Sequence, residues 1–321
     1  MESLLRKYYN IIVSDIKKSA VGAGSDTYFI NSDAGKYVIK FPSLSEINNP
    51  KAEPELCEFL LDKGINVCRF IRNNEGEFIT TDDKGRLFHM QEFVDGVLYD
   101  WNNAPQWFLK ETAQTLGKIH TALKGYQGLP EGIGEKFFKY MTPENALCSY
   151  RNTLNTAKKN GDVEIAKDLL YRIELMERFP TYNLNLTKLT CSATHGDYFI
   201  SQIICGEDKI NAVIDWTCAC VHPVVWEIMR SYVYAAPECA NGEIDLRRLE
   251  AYFKDYGCYA KLNSYDMQNA ARLFYYQIAV CDYYNQYYTS DADNREIYLR
   301  QAVFSTRLLK WFEKHIDEIK W

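Results

Sequence analysis

Three polar side chains stand at spacings that suit one kind of chemistry. Asp197 follows an apolar, strand-like run in Thr194-His195-Gly196-Asp197-Tyr198-Phe199-Ile200-Ser201-Gln202, and the amide of Gln202 comes five residues later. Thirteen residues further on, Asp215 ends a second apolar run, Val213-Ile214-Asp215-Trp216. One carboxylate can orient or deprotonate a hydroxyl, while the other and the amide offer oxygen ligands of the kind Mg²⁺ prefers. Phosphoryl transfer draws on this set, because its catalysis is mostly positioning and charge neutralisation.

The first hundred residues supply matching parts. Gly22 and Gly24, followed by Ser25, precede a hairpin, where glycines let a backbone approach phosphates closely. Lys40 lies in the apolar run Tyr37-Val38-Ile39-Lys40, where a charge needs a partner. The helical segment that follows offers Glu53 and Glu55. A strand lysine paired with a helix glutamate grips the α/β-phosphates in kinases.

The elements that must hold these residues change character along the chain. Residues 26–32 and 36–41 read as strands around the turn Asp33-Ala34-Gly35. Residues 53–63 have helical apolar spacing stopped by Gly64. Residues 78–81 and 86–94 read as two further strands, giving a small sheet with one helix across it. From about residue 105 the pattern is helical: 105–123, a long stretch over 143–179, and everything after Pro223. Between these lies a strand-rich island carrying Asp197, Gln202 and Asp215. The aromatic run Phe274–Tyr288 has helical apolar spacing and predicts one core helix with a tyrosine-rich face.

Composition bounds the partners. The 321 residues carry 37 Lys+Arg against 43 Asp+Glu, a net charge of -6 that disfavours nucleic acid as a general partner. With 47% apolar and 25% charged residues, this is the composition of a globular protein. The ten cysteines form no CxxC pair and read as reduced thiols of a cytoplasmic protein. Cys218, Cys220 and His222 lack a second cluster to complete a zinc site. No apolar run reaches membrane-spanning length, and the N-terminus lacks the apolar region of a signal peptide.

In order and spacing these motifs resemble the aminoglycoside phosphotransferase and choline kinase family, the small-molecule branch of the protein-kinase-like fold. The resemblance runs from the glycine loop through Lys40, the helix glutamate, the hinge-like His89–Gly96 segment and the His195-Gly196-Asp197 loop to Ile214-Asp215-Trp216. It implies a two-lobed α+β fold, with a small antiparallel-sheet lobe over 1–94 and a mostly helical lobe over 95–321. It also implies an enzyme moving the γ-phosphate of ATP, with GTP as an alternative donor, to the hydroxyl of a small molecule.

By the same resemblance Asp197 is the catalytic base, Gln202 and Asp215 hold Mg²⁺, Lys40 grips the phosphates and Glu53 is its ion-pair partner, with Glu55 as fallback. Gln91, Glu92, Phe93 and Val94 meet the adenine through backbone groups. Gly22, Gly24 and Ser25 form the phosphate loop. Candidate acceptor-site residues in the helical part are Trp226, Asp282, Tyr283 and Tyr284, whose aromatic and acidic character suits an amino sugar, aminoglycoside or choline-like cation, or a neutral sugar.

Gln202 stands where the family has Asn, Phe199-Ile200-Ser201 replaces a common His-Pro-Gly, and Glu227 occupies the place of an Asp that braces the catalytic loop. His195, His120 and His222 read as structural. The alternatives are a kinase-like protein that binds nucleotide but transfers little phosphate, in the manner of a pseudokinase or spore-coat relative, and a protein kinase.

Overall fold

The computed structural model describes residues 1–19, 25–42 and 49–319. The elements in chain order are α1 (Glu2–Tyr9), β1 (Val13–Lys18), β2 (Ser25–Ser32), β3 (Gly35–Pro42), α2 (Ala52–Asp62), β4 (Phe70–Ile71), β5 (Thr80–Thr81), β6 (Leu87–Glu92), α3 (Phe108–Ala122), α4 (Glu135–Tyr140), α5 (Pro143–Asn160) and α6 (Val163–Glu177). There follow β7 (Cys191–Thr194), β8 (Ile203–Cys205), β9 (Ile210–Val213), β10 (Cys220–Pro223), α7 (Val224–Val233), α8 (Leu246–Gly257), α9 (Ser264–Val280), α10 (Tyr283–Thr289) and α11 (Ala292–His315). The chain forms two compact units, Met1–Tyr99 with Ser201–Ala219, and Asp100–Ile200 with Cys220–Trp321.

The first unit is built on an antiparallel sheet in the order β1-β2-β3-β6-β4, with β5 also paired to β6. Strand alternation sorts its side chains. Ile30, Ile39, Phe41, Phe88 and Met90 point to one face and pack with Leu5 and Tyr9 of α1. Phe41 and Phe88 stack with centroids 5.2 Å apart. Lys40, between Ile39 and Phe41, therefore emerges on the opposite face, beside its register partner His89. On α2, Glu53, Leu56, Cys57 and Leu60 are buried while Glu55 is exposed. Gly64, at φ 75°, ends the turn that follows.

The second unit is helical apart from the two-stranded β7–β10 pair. Nine of the ten residues of α7 are buried, as are most of those on α9. The expected 143–179 helix divides at Gly161, whose φ of 79° closes α5. The expected single helix over 274–288 also divides: α9 ends at Val280, and Asp282 caps a separate α10 by accepting from the Asn285 N–H at 3.3 Å. Periodicity carried across both breaks because a short turn preserves the apolar spacing on either side.

The boundary expected at 94/95 also differs, since Ser201–Ala219 belongs with the first hundred residues. The β8–β9 hairpin is tied there by its backbone. Val97 and Cys205 exchange two hydrogen bonds of 2.9 Å, and the Val213 N–H donates to the Asn66 carbonyl at 2.9 Å. The Asn211 amide donates to the Asp95 carbonyl at 2.8 Å. Gly96 permits this approach, because a Cβ there would lie 2.5 Å from the Cys205 carbonyl oxygen. Gly96→Ala is accordingly expected to lose about 1–3 kcal/mol of stability in urea unfolding through steric overpacking. Wild-type stability in that variant would refute this account of the hairpin's attachment.

Candidate active site

In the first unit, the ends of β8 and β9 bring Gln202 and Asp215 together: the Ile214 N–H donates to the Gln202 carbonyl at 2.9 Å, one step beyond the Ile203–Val213 pair. Asp215 adopts a left-handed conformation, φ 64°, one of only two non-glycine residues with positive φ among those described. Such positions cluster at functional sites because neighbouring contacts must hold them. Here the Thr217 hydroxyl donates to Asp215 Oδ1 at 2.9 Å, and the next backbone N–H, of Trp216, donates to Glu53 at 3.0 Å. The Trp216 indole is buried and donates to the Val213 carbonyl at 3.1 Å.

Lys40 Nζ lies 3.6 Å from Asp215 Oδ1. Burial works against the lysine's charge, but Asp215 and Glu53 outweigh it and raise its pKa above the ordinary value. Burial pushes the Glu53 carboxyl up to about 7 against the pull of Lys40. Glu53 thus spends a carboxylate oxygen on the loop beside Asp215, while the ammonium of Lys40 leans to Asp215 itself. Glu55, on the exposed side of α2, has no part in this group.

The oxygens of Asp215 and Gln202 are of the type that holds Mg²⁺, which keeps several waters and takes one or two carboxylates with substrate phosphates. The Gln202 side-chain amide makes no hydrogen bond among the described residues, so its oxygen is available. Among those residues no group of three His, Cys, Asp or Glu side chains forms a fuller metal cage. The donor set fits a metal shared with phosphates.

In the hinge-like segment, Gln91 is buried and lies in β6, paired to both β3 and β4. The Glu92 N–H donates to the Arg69 carbonyl at 2.9 Å and the Phe93 N–H to the Lys36 carbonyl at 3.1 Å. The Val94 N–H has no partner among the described residues. Ser25 is half-buried, its hydroxyl 3.3 Å from that of Thr27. Gly22 and Gly24 lie outside the described residues.

In the second unit, the loop carrying Asp197 is held from α7. Glu227, fully buried, accepts from the His195 N–H at 3.2 Å, the Gly196 N–H at 2.5 Å and His120 Nε2 at 2.8 Å. Burial alone would raise its pKa, but hydrogen bonding and charge from His120, with smaller pulls from His222 and His195, bring it down to about 2. His120 Nδ1 is 2.9 Å from the Tyr256 hydroxyl, and His195 Nδ1 accepts from the Asp197 N–H at 3.2 Å. The three histidines are buried.

Asp197 also meets a residue the sequence reading passed over. Arg230 donates to Asp197 Oδ1, and its guanidinium lies 4.7 Å from the ring centroid of Tyr234, 5.4 Å from Phe199 and 5.6 Å from Trp226. The signal was present: in Val224–Val233 the only charged residues are Glu227 and Arg230, three apart on an apolar helix, and charges on such a helix require partners.

The four acceptor-site candidates separate. Trp226 faces Arg230 and donates from its indole to Gln277 at 3.2 Å. Tyr283 lies within electrostatic reach of Arg230 and Tyr234. Asp282 accepts from Ser149 and caps α10. Tyr284 is buried and donates to Asp168 at 2.6 Å. Trp226 and Tyr283 thus lie near Arg230, while Asp282 and Tyr284 make capping and packing contacts.

The chain belongs to the phosphotransferase enzyme family, which it matches over residues 15–262. The homoserine kinase of Zymomonas mobilis subsp. mobilis (strain ATCC 31821 / ZM4 / CP4) is 24% identical over 220 residues, 68% of this chain. The match spans 63% of that relative's length, less than two thirds. Spectinomycin phosphotransferase, solved with ADP and spectinomycin, superposes with a TM-score of 0.60 at 14% identity, covering 98% of this chain and 97% of its own. Aminoglycoside 2'-phosphotransferase-IIIa, solved with GDP, gives 0.62 at 14% identity over 94% and 96%. These likenesses establish the protein-kinase-like α+β fold. Among the described residues no helix is long and apolar enough to cross a membrane.

Two predictions follow from the buried charges. Glu227→Ala leaves three buried donors without an acceptor and is expected to cost about 3–5 kcal/mol in denaturant unfolding, whereas an exposed carboxylate such as Glu55 should cost nearly nothing. The second concerns acid. Burial lowers His222 to about 4 and His89 to about 3 from 6.5. Below pH 6.5 the unfolded chain therefore binds protons that the folded chain refuses, so stability falls from pH 6.5 down through those values. At His222 the loss approaches about 3 kcal/mol. His222→Gln and His89→Gln should each flatten the fall in melting temperature between pH 6.5 and 4; a slope unchanged in both would contradict this.

Proposed function

We propose that this protein transfers the γ-phosphate of ATP to a hydroxyl of a small molecule. The observation that carries the reading is the grouping of Lys40, Glu53, Gln202 and Asp215 in one unit, with Asp197 on a loop whose backbone is clamped by Glu227. Lys40 grips the donor phosphates. Asp197 accepts the proton of the acceptor hydroxyl as its oxygen bonds to the γ-phosphorus and the bond to the β-phosphate oxygen breaks, releasing ADP. Mg²⁺, held by Asp215 and Gln202, would neutralise charge on the phosphate oxygens.

The Val94 N–H and neighbouring hinge carbonyls meet the adenine, and Gly22, Gly24 and Ser25 are assigned to the donor phosphates. Solved relatives bound to ADP and GDP support nucleotide use and leave GTP as a second donor. On the acceptor side we place Trp226 and Tyr283. Relatives named for homoserine and spectinomycin frame the substrate range as compact polar alcohols. We place the protein in the cytoplasm, where ATP and reduced thiols coexist.

The test is Mg²⁺-dependent ATP consumption with homoserine and other hydroxy amino acids, aminoglycosides, sugars, choline and ethanolamine as separate pools. Turnover should require one pool and fall at least about 100-fold in Asp197→Asn. Lys40→Met and Asp215→Asn should fall comparably. Full turnover in Asp197→Asn would remove the proposed base. A wild type that binds ATP yet turns over none of the pools would favour the nucleotide-binding alternative motivated by Gln202.

A further inference from the structure

Two enclosed arginines in the second unit, Arg172 buried and Arg230 largely so, are used in different ways. Arg172 is 1% exposed and spreads its N–H groups over neutral oxygens: the hydroxyls of Thr306, Tyr150 and Ser305 and the carbonyls of Ile278 and Ala302. That is an arginine holding helices together. Arg230 is directed at one carboxylate, that of Asp197. Its Nε–H is buried and has no hydrogen-bond partner among the described residues. Leaving a buried donor unmet is unfavourable, so placement of the guanidinium has prevailed over its own hydrogen bonding.

The placement is well determined. The side chain is 15% exposed, and three aromatic faces enclose it, of Tyr234, Phe199 and Trp226. Cation–π attraction holds a guanidinium in such a box and restricts its rotamers. Glu227 and Arg230, three residues apart, project from neighbouring positions on α7. One turn of that helix thus fixes both the backbone before Asp197 and the carboxylate itself, while Asp197 Oδ2 has no partner among the described residues. A guanidinium stays charged and cannot carry the proton.

From this geometry we propose that Arg230 is a positioning residue for the phosphotransfer: its boxed guanidinium holds Asp197 Oδ1 so that Oδ2 faces the acceptor hydroxyl. The inference rests on Asp197 being the base. It also makes the immediate acceptor side nearly neutral, since the Arg230 charge offsets that of Asp197.

The experiment measures kcat and KM for Mg²⁺-dependent ATP turnover with homoserine or spectinomycin as acceptor, or with water where neither accelerates turnover. Arg230→Gln and Arg230→Ala should lower kcat about tenfold or more with KM for ATP within about threefold, the signature of a contact that matters to the reacting geometry rather than to binding. The ATP-induced rise in melting temperature should persist. Arg230→Lys should recover part of kcat, and sub-denaturing guanidinium chloride should raise kcat of Arg230→Ala but not of wild type.

Wild-type kcat in Arg230→Gln alongside an inactive Asp197→Asn would overturn the inference while leaving the base intact. A loss that neither lysine nor added guanidinium repairs would overturn it too, by marking Arg230 as structural. If Asp197→Asn retains turnover, it is the reading of the base that fails. Should the Gln and Ala variants not fold, Arg230→Lys decides: a reduced kcat at unchanged KM supports the inference, and wild-type kcat refutes it.

Discussion

The second unit depends on the buried Glu227 carboxylate. Three donors from two parts of the chain converge on it: His120 from α3 and the backbone amides of His195 and Gly196 before Asp197. A carboxylate in an apolar interior is tolerated only when its lone pairs are met. Each donor is therefore obligatory, and together they position the loop. Tyr256 of α8 then meets the other nitrogen of His120, extending the network into the α3–α8 contact. Gly117 lets those helices close up, since a Cβ there would sit 2.6 Å from the Tyr256 carbonyl oxygen. The chemistry of the loop and the packing of the helices share one set of constraints.

Much of this was legible in the sequence, and the unread parts have physical reasons. The β2–β3 hairpin announced itself by alternation around a turn glycine, and Lys40 by its place in that alternation. The short β8–β9 hairpin sets Gln202 and Asp215 at its two ends, a spacing that is local in the sequence. The first helix and strand were missed: α1 is only two turns long, with charged residues among its leucines and tyrosines, and β1 is polar at four of its six positions. The assignment of Ser201–Ala219 was missed because backbone hydrogen bonds at Val97, Asn66 and Asp95 decide it, and those carry no side-chain signature.

Site residues divide the same way. Residues constrained by local spacing were readable; those defined by convergence in space were not. Asp282 and Tyr284 were read as lining because they are acidic and aromatic, yet the turn between α9 and α10 rotates one onto Ser149 and the other onto Asp168. Arg230 was overlooked for the complementary reason: a lone arginine in a helix is ordinary until the carboxylate it reaches is known. Burial on an apolar helix is the cue that separates such an arginine from a solvent-facing one.

Two glutamates perform the same operation in the two units, with opposite electrostatic outcomes. Glu53 accepts the amide next to Asp215, and Glu227 accepts the amides just before Asp197. Both are buried, so desolvation favours the protonated form of each. Glu227 overcomes this because His120 bonds to it directly and the charges of His120, His222 and His195 add to that pull, and its carboxyl falls to about 2. Glu53 has one amide donor, and its cation, Lys40, is drawn toward Asp215, so its carboxyl rises to about 7. The difference follows from where the nearest positive charge is committed. A lysine leaning toward Asp215 leaves Glu53 short of compensation, whereas Glu227 shares its imidazole with no other carboxylate among the described residues.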